Sequence, residues 1–251
     1  MTKTVALVQA RMGSSRLRGK VLADLDGRPM IRFMFDRIRR AKSLDAAVLI
    51  TSTDPDDHEL IMFAESQDIP VIAGPLEDVL ARYRLGAEQT DADIIVRLTG
   101  DCPFIDPTLI DDVVALRDLE GTDYASNIDP PTFADGLDVE CFTYDALVRA
   151  DDEANEQRYR EHVTLWMREG GSGLSMDANT ALQLIPIYLQ QLEQQLSQGG
   201  PYICGEKITI ADFSVFHCLW FINNNAGVRA LLDGHPNLTQ WFASIKANGH
   251  G

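Results

Sequence analysis

The sequence predicts an α/β domain with a mostly parallel sheet, followed by a smaller all-α domain. Three observations support this division. Residues 1–169 alternate short β-branched runs with helical segments, which is typical of a parallel sheet whose faces are covered by helices. Residues 175–251 show only helical patterns and carry few charges. Between the two lies a segment, residues 170–174, that begins with Gly-Gly-Ser-Gly and has the composition of a flexible linker.

The first domain is predicted to contain four strands and four helices before residue 120. A short run of Val, Ile, Leu and Ala between turn residues predicts each strand, and apolar residues at helical spacing predict each helix. In chain order, the predicted strands are 4–10, 46–52, 70–74 and 93–100, and the predicted helices are 28–42, 56–67, 76–89 and 107–119. Unusual polar clusters follow the first, second and fourth strands. Parallel sheets of this kind bind ligands at the carboxyl ends of their strands, so we expect the site there.

The second domain is predicted to be helical throughout. An apolar stripe with spacings of three and four residues predicts its first helix, and consists of Leu182, Ile185, Leu189, Leu192 and Leu196. Pro186 lies inside this stripe, so the helix is expected either to kink there or to begin late enough to hold Pro186 in its first turn. The segment Thr209–Asp212 resembles a capping box and predicts the start of a later helix.

Composition disfavours several classes of protein. Of the 251 residues, 45% are hydrophobic, and 38 acidic residues against 22 basic ones give a net charge of −16. A general nucleic-acid-binding protein is expected to carry a basic footprint. No apolar run approaches the roughly 20 residues of a membrane span, and the N-terminus lacks a signal-peptide pattern. The four cysteines form no CxxC pair. We therefore expect a cytoplasmic protein with neither a nucleic-acid nor a membrane partner.

The charges are unevenly distributed along the chain. Residues 1–42 hold 11 basic and 3 acidic residues, whereas residues 43–173 hold 8 basic and 30 acidic residues. This division suits a site that binds an anion with one segment and a metal ion with another. The alternative is that these charges lie on solvated helix faces, which accounts for most charges of this kind.

The loop after the first strand has the composition of a phosphate-binding loop. Its basic residues are Arg11, Arg16, Arg18 and Lys20. Two glycines and two serines in the same loop would let backbone N–H groups approach a polyphosphate. The loop is not a Walker A motif, because five residues separate Gly13 from Gly19 and because Val21 stands where Ser or Thr is required. The alternative is a basic surface loop that leads into a helix.

Carboxylates follow the fourth predicted strand. Asp101 comes directly after this buried strand, where a carboxylate can hold Mg²⁺ against phosphate oxygens. Asp106 precedes Pro107, a position that favours capping of the next helix over a catalytic role.

A second pair of carboxylates lies further along the chain. Asp138 and Glu140 alternate with apolar residues, and Asp135 precedes them. On a strand, both members of the pair would point to one face, where a cation or the hydroxyls of a sugar could lie between them. A solvated edge strand is the alternative.

Seven stretches of the first domain occur in the order typical of one family: QARMGSSRLRGKVL, TSTDPDD, EDVLARY, RLTGDCPFID, DYASN, DGLDVE and REHVT. On these stretches, residues 4–168 resemble the cytidylyltransferases of spore-coat polysaccharide biosynthesis, which are related to the synthetases of CMP-linked acidic sugars. The resemblance implies a Rossmann-like nucleotidyltransferase fold, CTP and a small sugar as substrates, and Mg²⁺ as cofactor. It also implies that a sugar hydroxyl attacks the α-phosphate of CTP and releases pyrophosphate, in surface polysaccharide biosynthesis.

The same resemblance implies roles for individual residues. The nucleotide is expected to contact Gln9, Ala10, Arg11, Gly13, Ser14, Arg16, Lys20 and Arg97. The expected catalytic residues are Arg11, Arg16, Lys20 and Asp101, with Asp101 also holding Mg²⁺. The acceptor sugar is expected to face Asp135, Asp138, Glu140 and His162. These residue types suit the chemistry, because phosphoryl-type transfer needs mainly positioning and neutralisation of charge.

Two features depart from the family pattern. Arg18 stands where the family usually has Pro, which adds charge to the loop. The resemblance ends near Glu169, and no Asp–Thr/Tyr–x–Glu–Asp-like segment follows that would supply a second metal-binding Asp. The second metal ligand of the implied site is therefore missing.

Residues 175–249 resemble a different family, the C-terminal helical domain of bacterial glutathione S-transferases. The matching stretches are YLQQLEQQLSQGGPYICGEKITIADFSVFHCLWF and GVRALLDGHPNLTQWFASIKANGHG. The segment Ile208–Asp212 resembles the N-capping motif of that family, whose role is in folding. The glutathione-binding half of that family has no counterpart here. We interpret the chain as a chimera of two partial domains.

Three functions follow from these resemblances. The first is CTP-dependent activation of a sugar. The second is a catalytically impaired nucleotide-binding chimera whose helical tail serves as an interaction or dimerisation module. The third and weakest is glutathione transfer. Because both domains are partial, we expect an interdomain or intersubunit interface, including homo-oligomers through the helical domain. Its expected residues are Tyr188, Phe213, Phe216, Trp220, Phe221, Trp241 and Phe242.

Overall fold

The computed structural model describes residues 2–13, 17–128, 133, 136–169, 180–203, 206, 212, 219, 232 and 234–248. The chain divides into two compact units, one of residues 1–126 with 136–177 and the other of residues 127–135 with 178–251. The predicted linker lies outside the described residues, so its bounds and those of the two predicted domains stay a prediction. Within the described part of the chain, no helix is long and apolar enough to cross a membrane.

The first unit is built on a six-stranded sheet. Its strands are β1 (Thr4–Gln9), β4 (Ala46–Ser52), β5 (Val71–Gly74), β6 (Ile94–Thr99), β7 (Tyr124–Ser126) and β8 (Glu140–Thr143), in the order β5-β4-β1-β6-β8-β7. Strands β5, β4, β1 and β6 run parallel to one another, whereas β8 is antiparallel to both β6 and β7. The predicted mostly parallel sheet is confirmed. A separate hairpin consists of β2 (Asp24–Leu25) and β3 (Arg28–Pro29).

Nine helices are described. Those of the first unit are α1 (Met30–Ile38), α2 (His58–Ser66), α3 (Val79–Thr90), α4 (Pro107–Glu120), α5 (Tyr144–Glu153), α6 (Gln157–His162) and α7 (Leu165–Arg168). Those of the second unit are α8 (Thr180–Gly199) and α9 (Pro236–Asn248). Short 3₁₀ helices span Lys20–Leu22 and Pro55–Asp57. All four strands predicted in the first domain are present, with ends that differ by at most one residue.

Local capping and turn chemistry explain where the observed helices differ from the predicted ones. The helix predicted from residue 28 begins at Met30, because Asp26 and Gly27 form the turn of the β2–β3 hairpin with φ of 57° and 81°. Helix α3 begins at Val79 because the Asp78 carboxylate caps it, accepting from Ala81 N at 2.9 Å. The predicted Asp106 cap of α4 is confirmed, since Asp106 accepts from Thr108 N at 2.7 Å.

The centre of the sheet is buried on both faces. Residues 4–8 of β1 are all buried, and Val5 and Leu7 belong to a core cluster with Tyr83 of α3 and Phe142 of β8. Because side chains alternate along a strand, Gln9 follows Val5 and Leu7 on the α3 side of the sheet. Gln9 therefore lies at the carboxyl end of β1, next to the apolar side chains of Val5 and Leu7 on the same face.

The second unit has a core of its own. Leu189 and Leu196 of α8 pack with Leu238, Trp241 and Ile245 of α9. The fully buried Asp212 carboxylate accepts from Ile203 N and from Trp241 Nε1, each at 2.9 Å. Trp241 is therefore used inside this unit, which corrects its predicted place at an interface. Asp212 is a residue of the predicted capping box, and a fold-stabilising role fits its burial.

The described residues include only part of the second domain, so only some of the predictions for it can be compared with the structure. Helix α8 runs from Thr180 to Gly199, so Pro186 lies in its interior and the helix does not begin late. The predicted segment Thr209–Asp212 lies outside the described residues apart from Asp212. The aromatic residues Phe213, Phe216, Trp220 and Phe221 also lie outside them.

Candidate active site

A cavity of about 340 Å³ lies at the carboxyl edge of the sheet. Eight of the predicted site residues line it: Gln9, Ala10, Arg11, Gly13, Lys20, Arg97, Asp101 and His162. The cavity also touches residues for which the sequence predicted no individual role, although all but Leu76 lie in the quoted family stretches: Val21, Leu76, Glu77, Val79, Arg82, Thr99, Gly100 and Glu161. Of the other predicted residues, Ser14, Arg16 and Asp135 lie outside the described part of the chain.

The basic loop after β1 is held at both ends by backbone and carboxylate contacts. Met12 N donates to the buried Asp57 carboxylate at 2.6 Å, and Gly19 N donates to the Met12 carbonyl oxygen at 2.9 Å. Gly19 has a φ of 72°, a conformation that glycine adopts without strain. Arg18 pairs with Asp56 at 2.8 Å, and both side chains are exposed. The described ends of the loop therefore meet at the Met12–Gly19 hydrogen bond, with Arg11 and Lys20 at the cavity.

The ends of β1 and β6 approach so closely that only glycine fits at position 100. A Cβ on Gly100 would lie 2.6 Å from the Ala10 Cβ and 3.0 Å from the Gln9 carbonyl oxygen. Gly100 N also donates to that oxygen at 2.7 Å. This contact places Asp101, the next residue, beside the start of the basic loop.

Asp101 and Lys20 form an ion pair across the cavity. Lys20 Nζ lies 2.9 Å from Asp101 Oδ2, and the Asp101 side chain is about half exposed, at 46%. Burial acts to raise the pKa of Asp101, but the hydrogen bond and the charge of Lys20 outweigh it and hold the pKa below its usual value. Asp101 is therefore ionised at neutral pH, as a metal ligand must be.

The surroundings of Asp101 fit a metal held by one carboxylate. Within the described ranges, no group of three His, Cys, Asp or Glu residues could hold a metal ion by itself. Mg²⁺ usually keeps several waters and binds through one or two carboxylates together with substrate phosphates. A lone exposed carboxylate beside a basic loop is compatible with Mg²⁺ that arrives with a phosphate ligand.

Arg97 belongs to a buried polar network centred on Glu140. Arg97 Nη1 donates to the Glu140 carboxylate, which is 2% exposed, and Tyr124 OH and Thr164 Oγ1 donate to it as well. Although burial acts to lower the pKa of Arg97, the charge of Glu140 raises it above the usual value. Both oxygens of Glu140 are thus occupied by protein groups.

This position corrects the predicted acceptor-binding role of Glu140. The Glu140 side chain is buried and does not line the cavity. It binds Arg97, and Arg97 does line the cavity. Strand β8 begins at Glu140, so Asp138 lies before the strand and the predicted pair of carboxylates on one strand face is not formed. Glu140 acts as a support of the site, and no contact with the cavity is found for Asp138 among the described residues.

His162 reaches the cavity at the end of α6 through a strained turn. Val163, the next residue, has φ 48° and ψ −64°, and Thr164 N donates to the His162 carbonyl oxygen at 2.5 Å. These values describe a γ-turn of the rare form with positive φ, which is costly for a β-branched residue. Val163 is fully buried, and Thr164 is held by Glu140. The turn therefore connects the Glu140 network to His162.

A second polar clamp ties α6 to the rest of the unit. The Arg160 guanidinium contacts both Asp78 oxygens at 2.7–3.0 Å and Asp151 Oδ1 at 2.6 Å. It thus joins the N-terminus of α3, the end of α5 and the helix that carries His162. Arg160 and Arg82 lie in the family stretches REHVT and EDVLARY, but the sequence predicted no individual role for either. Only the fold shows where these two cations lie.

Two family models match this chain. The cytidylyltransferase model matches residues 5–198, and the model of the glutathione S-transferase C-terminal domain matches residues 161–250. The matches overlap at residues 161–198. The two resemblances read from the sequence are therefore both supported by the family models.

Individual relatives are similar to the first of these regions. The spore coat polysaccharide biosynthesis protein SpsF of Bacillus subtilis is 34% identical over 173 residues, which is 67% of this chain and 71% of that protein. The 3-deoxy-manno-octulosonate cytidylyltransferase of Anaeromyxobacter sp. is 35% identical over 124 residues, or 48% of each chain. A solved cytidylyltransferase from Leptospira borgpetersenii superposes with a TM-score of 0.65 and 32% identity, covering 69% of this chain and 74% of that one.

Proposed function

Because this chain belongs to the cytidylyltransferase family, we propose that it transfers CMP from CTP to a hydroxyl of a small sugar and releases pyrophosphate. The observation that carries the proposal is a cavity that gathers Arg11, Lys20 and Asp101 at the carboxyl edge of the sheet. The relatives named for polysaccharide biosynthesis and for 3-deoxy-manno-octulosonate support an acceptor of the sugar class.

The residues of the cavity suit the transfer of a phosphoryl-type group. Arg11 and Lys20 would bind the triphosphate, with backbone N–H groups of the basic loop nearby. Lys20 is held by Asp101 in the free protein and would exchange that carboxylate for phosphate oxygens when the nucleotide binds. Cations fixed in advance around the leaving pyrophosphate stabilise the charge that develops during transfer.

Asp101 would hold Mg²⁺, which when bound neutralises charge on the phosphates. The acceptor side of the cavity would be formed by His162 and Glu161 at the end of α6. His162 is exposed there, and it can donate to or accept from a sugar hydroxyl. The two clamps that reach α6, through Thr164 and through Arg160, hold this wall in place before a sugar arrives.

One observation favours a second candidate function. Within the described ranges, Asp101 belongs to no group of three or more His, Cys, Asp or Glu residues that could hold a metal ion. A chain with this site could bind CTP without turning it over, while the helical unit serves in association. Glutathione transfer receives no comparable support, since the matching model is that of the C-terminal domain alone.

The test is pyrophosphate release from CTP and Mg²⁺ with a panel of acidic and neutral sugars. We expect release with at least one sugar, and loss of about a hundredfold or more in Asp101→Asn, because one of the few metal-binding oxygens becomes neutral. Asp106→Asn is the matched control, since Asp106 is in the same segment but caps α4. CTP binding without release for any sugar would favour the second candidate, and absence of CTP binding would contradict both.

A further inference from the structure

Arg82 is a buried cation that forms no direct ion pair with a carboxylate of the described residues. It extends from α3 to the cavity wall and is only 2% exposed. Its Nε donates to the Pro75 carbonyl oxygen at 3.0 Å, and its Nη2 donates to the Leu76 carbonyl oxygen at 2.8 Å. Among the described residues, it forms no ion pair, and its Nη1 has no hydrogen-bond partner. Buried charges are normally paired, because removal from water is costly.

The other cations of the cavity have different surroundings. Lys20 pairs with Asp101, and Arg97 pairs with Glu140. Arg11 is exposed and, within the part of the chain that the structure describes, lacks a carboxylate partner. Arg11 and Arg82 are thus the two lining guanidinium groups whose charge a ligand would have to balance.

The electrostatics agree with this geometry. Burial is the main cause that lowers the pKa of Arg82, and the positive charge of Arg11 acts in the same direction, whereas Tyr83, Asp57 and Asp78 act to raise it. The Asp78 carboxylate pairs with Arg160. The Asp57 carboxylate is itself occupied by Met12 N and by Ser52. Arg11 and Arg82 line the same cavity, and an anion bound between them would balance both charges.

We propose that Arg82 binds a phosphate oxygen of the nucleotide through Nη1, so that the anion lies between Arg82 and Arg11. The inference rests on the proposed function, because it assumes that the cavity binds CTP. The hydrogen bonds to Pro75 and Leu76 fix the guanidinium before the nucleotide arrives, which reduces the entropy lost on binding. Arg82 also links the nucleotide to the loop between β5 and α3, which forms one wall of the cavity.

Two substitutions separate the charge of Arg82 from its structural role. Arg82→Gln and Arg82→Lys both lose the pair of hydrogen bonds to the Pro75 and Leu76 carbonyl oxygens, but only the Lys variant keeps the positive charge. Dissociation constants for CTP, CMP and cytidine are measured by calorimetry on the full chain. We expect Arg82→Gln to weaken CTP and CMP binding by about tenfold to a hundredfold and to leave cytidine binding unchanged. Arg82→Lys should recover a large part of the loss.

Arg84→Gln is the matched control. It removes the same charge from the same helix, but Arg84 pairs with Glu88 and does not line the cavity. We expect its nucleotide affinities to equal those of the unsubstituted chain.

Three outcomes would overturn the inference. In the first, the unsubstituted chain binds CTP and Arg82→Gln binds it equally well. In the second, both Arg82 variants weaken all three ligands alike, cytidine included, which would give Arg82 only the task of shaping the loop. In the third, the unsubstituted chain itself fails to bind CTP, which would reject the proposed function and remove the premise of this inference.

Discussion

At the scale of single residues, the site depends on buried side chains that never touch the cavity. Glu140 is the central example, because it accepts from Arg97, Tyr124 and Thr164, which come from β6, β7 and the segment after α6. A carboxylate at this depth is stable only if its charge and its oxygens are all matched. Glu140 thus joins three elements and orients the guanidinium of Arg97 at the same time.

We predict that Glu140→Gln lowers the free energy of unfolding by about 3–5 kcal/mol, because Arg97 is left buried beside a neutral amide. Urea unfolding followed by circular dichroism measures this loss. Glu161→Gln is the matched control, since Glu161 is exposed on the same unit and should change stability by less than about 0.5 kcal/mol. A loss of similar size in both variants would contradict the central role of Glu140.

At the scale of secondary structure, the turn after α6 stores strain close to the cavity. Val163 has a positive φ although its side chain is branched at Cβ, and its full burial keeps it in that conformation. Such backbone strain costs on the order of 1–3 kcal/mol and is held only when the surroundings compensate. Here the compensation comes from the apolar core around Val163 and from the Thr164 contact with Glu140.

The strain predicts an inverted order of stability for two substitutions. Val163→Gly should be more stable than Val163→Ala, because both lose the buried side chain but only glycine relaxes at positive φ. At an unstrained helical position the order is reversed, and Val113 of α4 supplies the control: Val113→Gly should be about 1 kcal/mol less stable than Val113→Ala. Thermal unfolding of the four variants measures these differences. If the alanine variant is the more stable one at both positions, the turn is not strained.

The sequence was sufficient to predict strands and helix caps that depend on local pattern. It was not sufficient for features that depend on contacts between residues far apart in the chain. The four parallel strands and the Asp106 cap follow from short apolar runs and from an Asp-Pro step. Strand β8 and the role of Glu140 were missed, since the alternation around Asp138 looks the same on a solvated strand and on a buried one. No role was predicted for Arg82 either, although it lies in the stretch EDVLARY, because a helical pattern does not show which cation will lie beside a cavity.

At the scale of the whole molecule, the chain joins two units with separate cores. The first holds the sheet and the cavity, and the second holds the cluster around Trp241 and Leu238. Each family model extends beyond the glycine-rich segment, to residue 198 from one side and to residue 161 from the other. The region in which the two matches overlap is therefore the place to test whether the units depend on each other.

We predict that a fragment of residues 1–169 is aggregation-prone or markedly less stable than the full chain. The physical reason is our prediction that both domains are partial, in which case each would leave apolar surface for the other to cover. Size-exclusion chromatography and thermal unfolding of the fragment and the full chain measure the difference. A soluble, monomeric fragment that melts at the temperature of the full chain would show that residues 175–251 do not stabilise the first domain.

The order in which the strands pair has a consequence for synthesis of the chain on the ribosome. Strand β8 lies between β6 and β7, although both of those strands precede it in the sequence. Until β8 emerges, β6 has an unpaired edge, and Arg97 has no counter-charge. The wall that carries His162 is made later still. The residues of the basic loop are therefore synthesised early, but the wall that carries His162 is held in place only after residue 164 has been added.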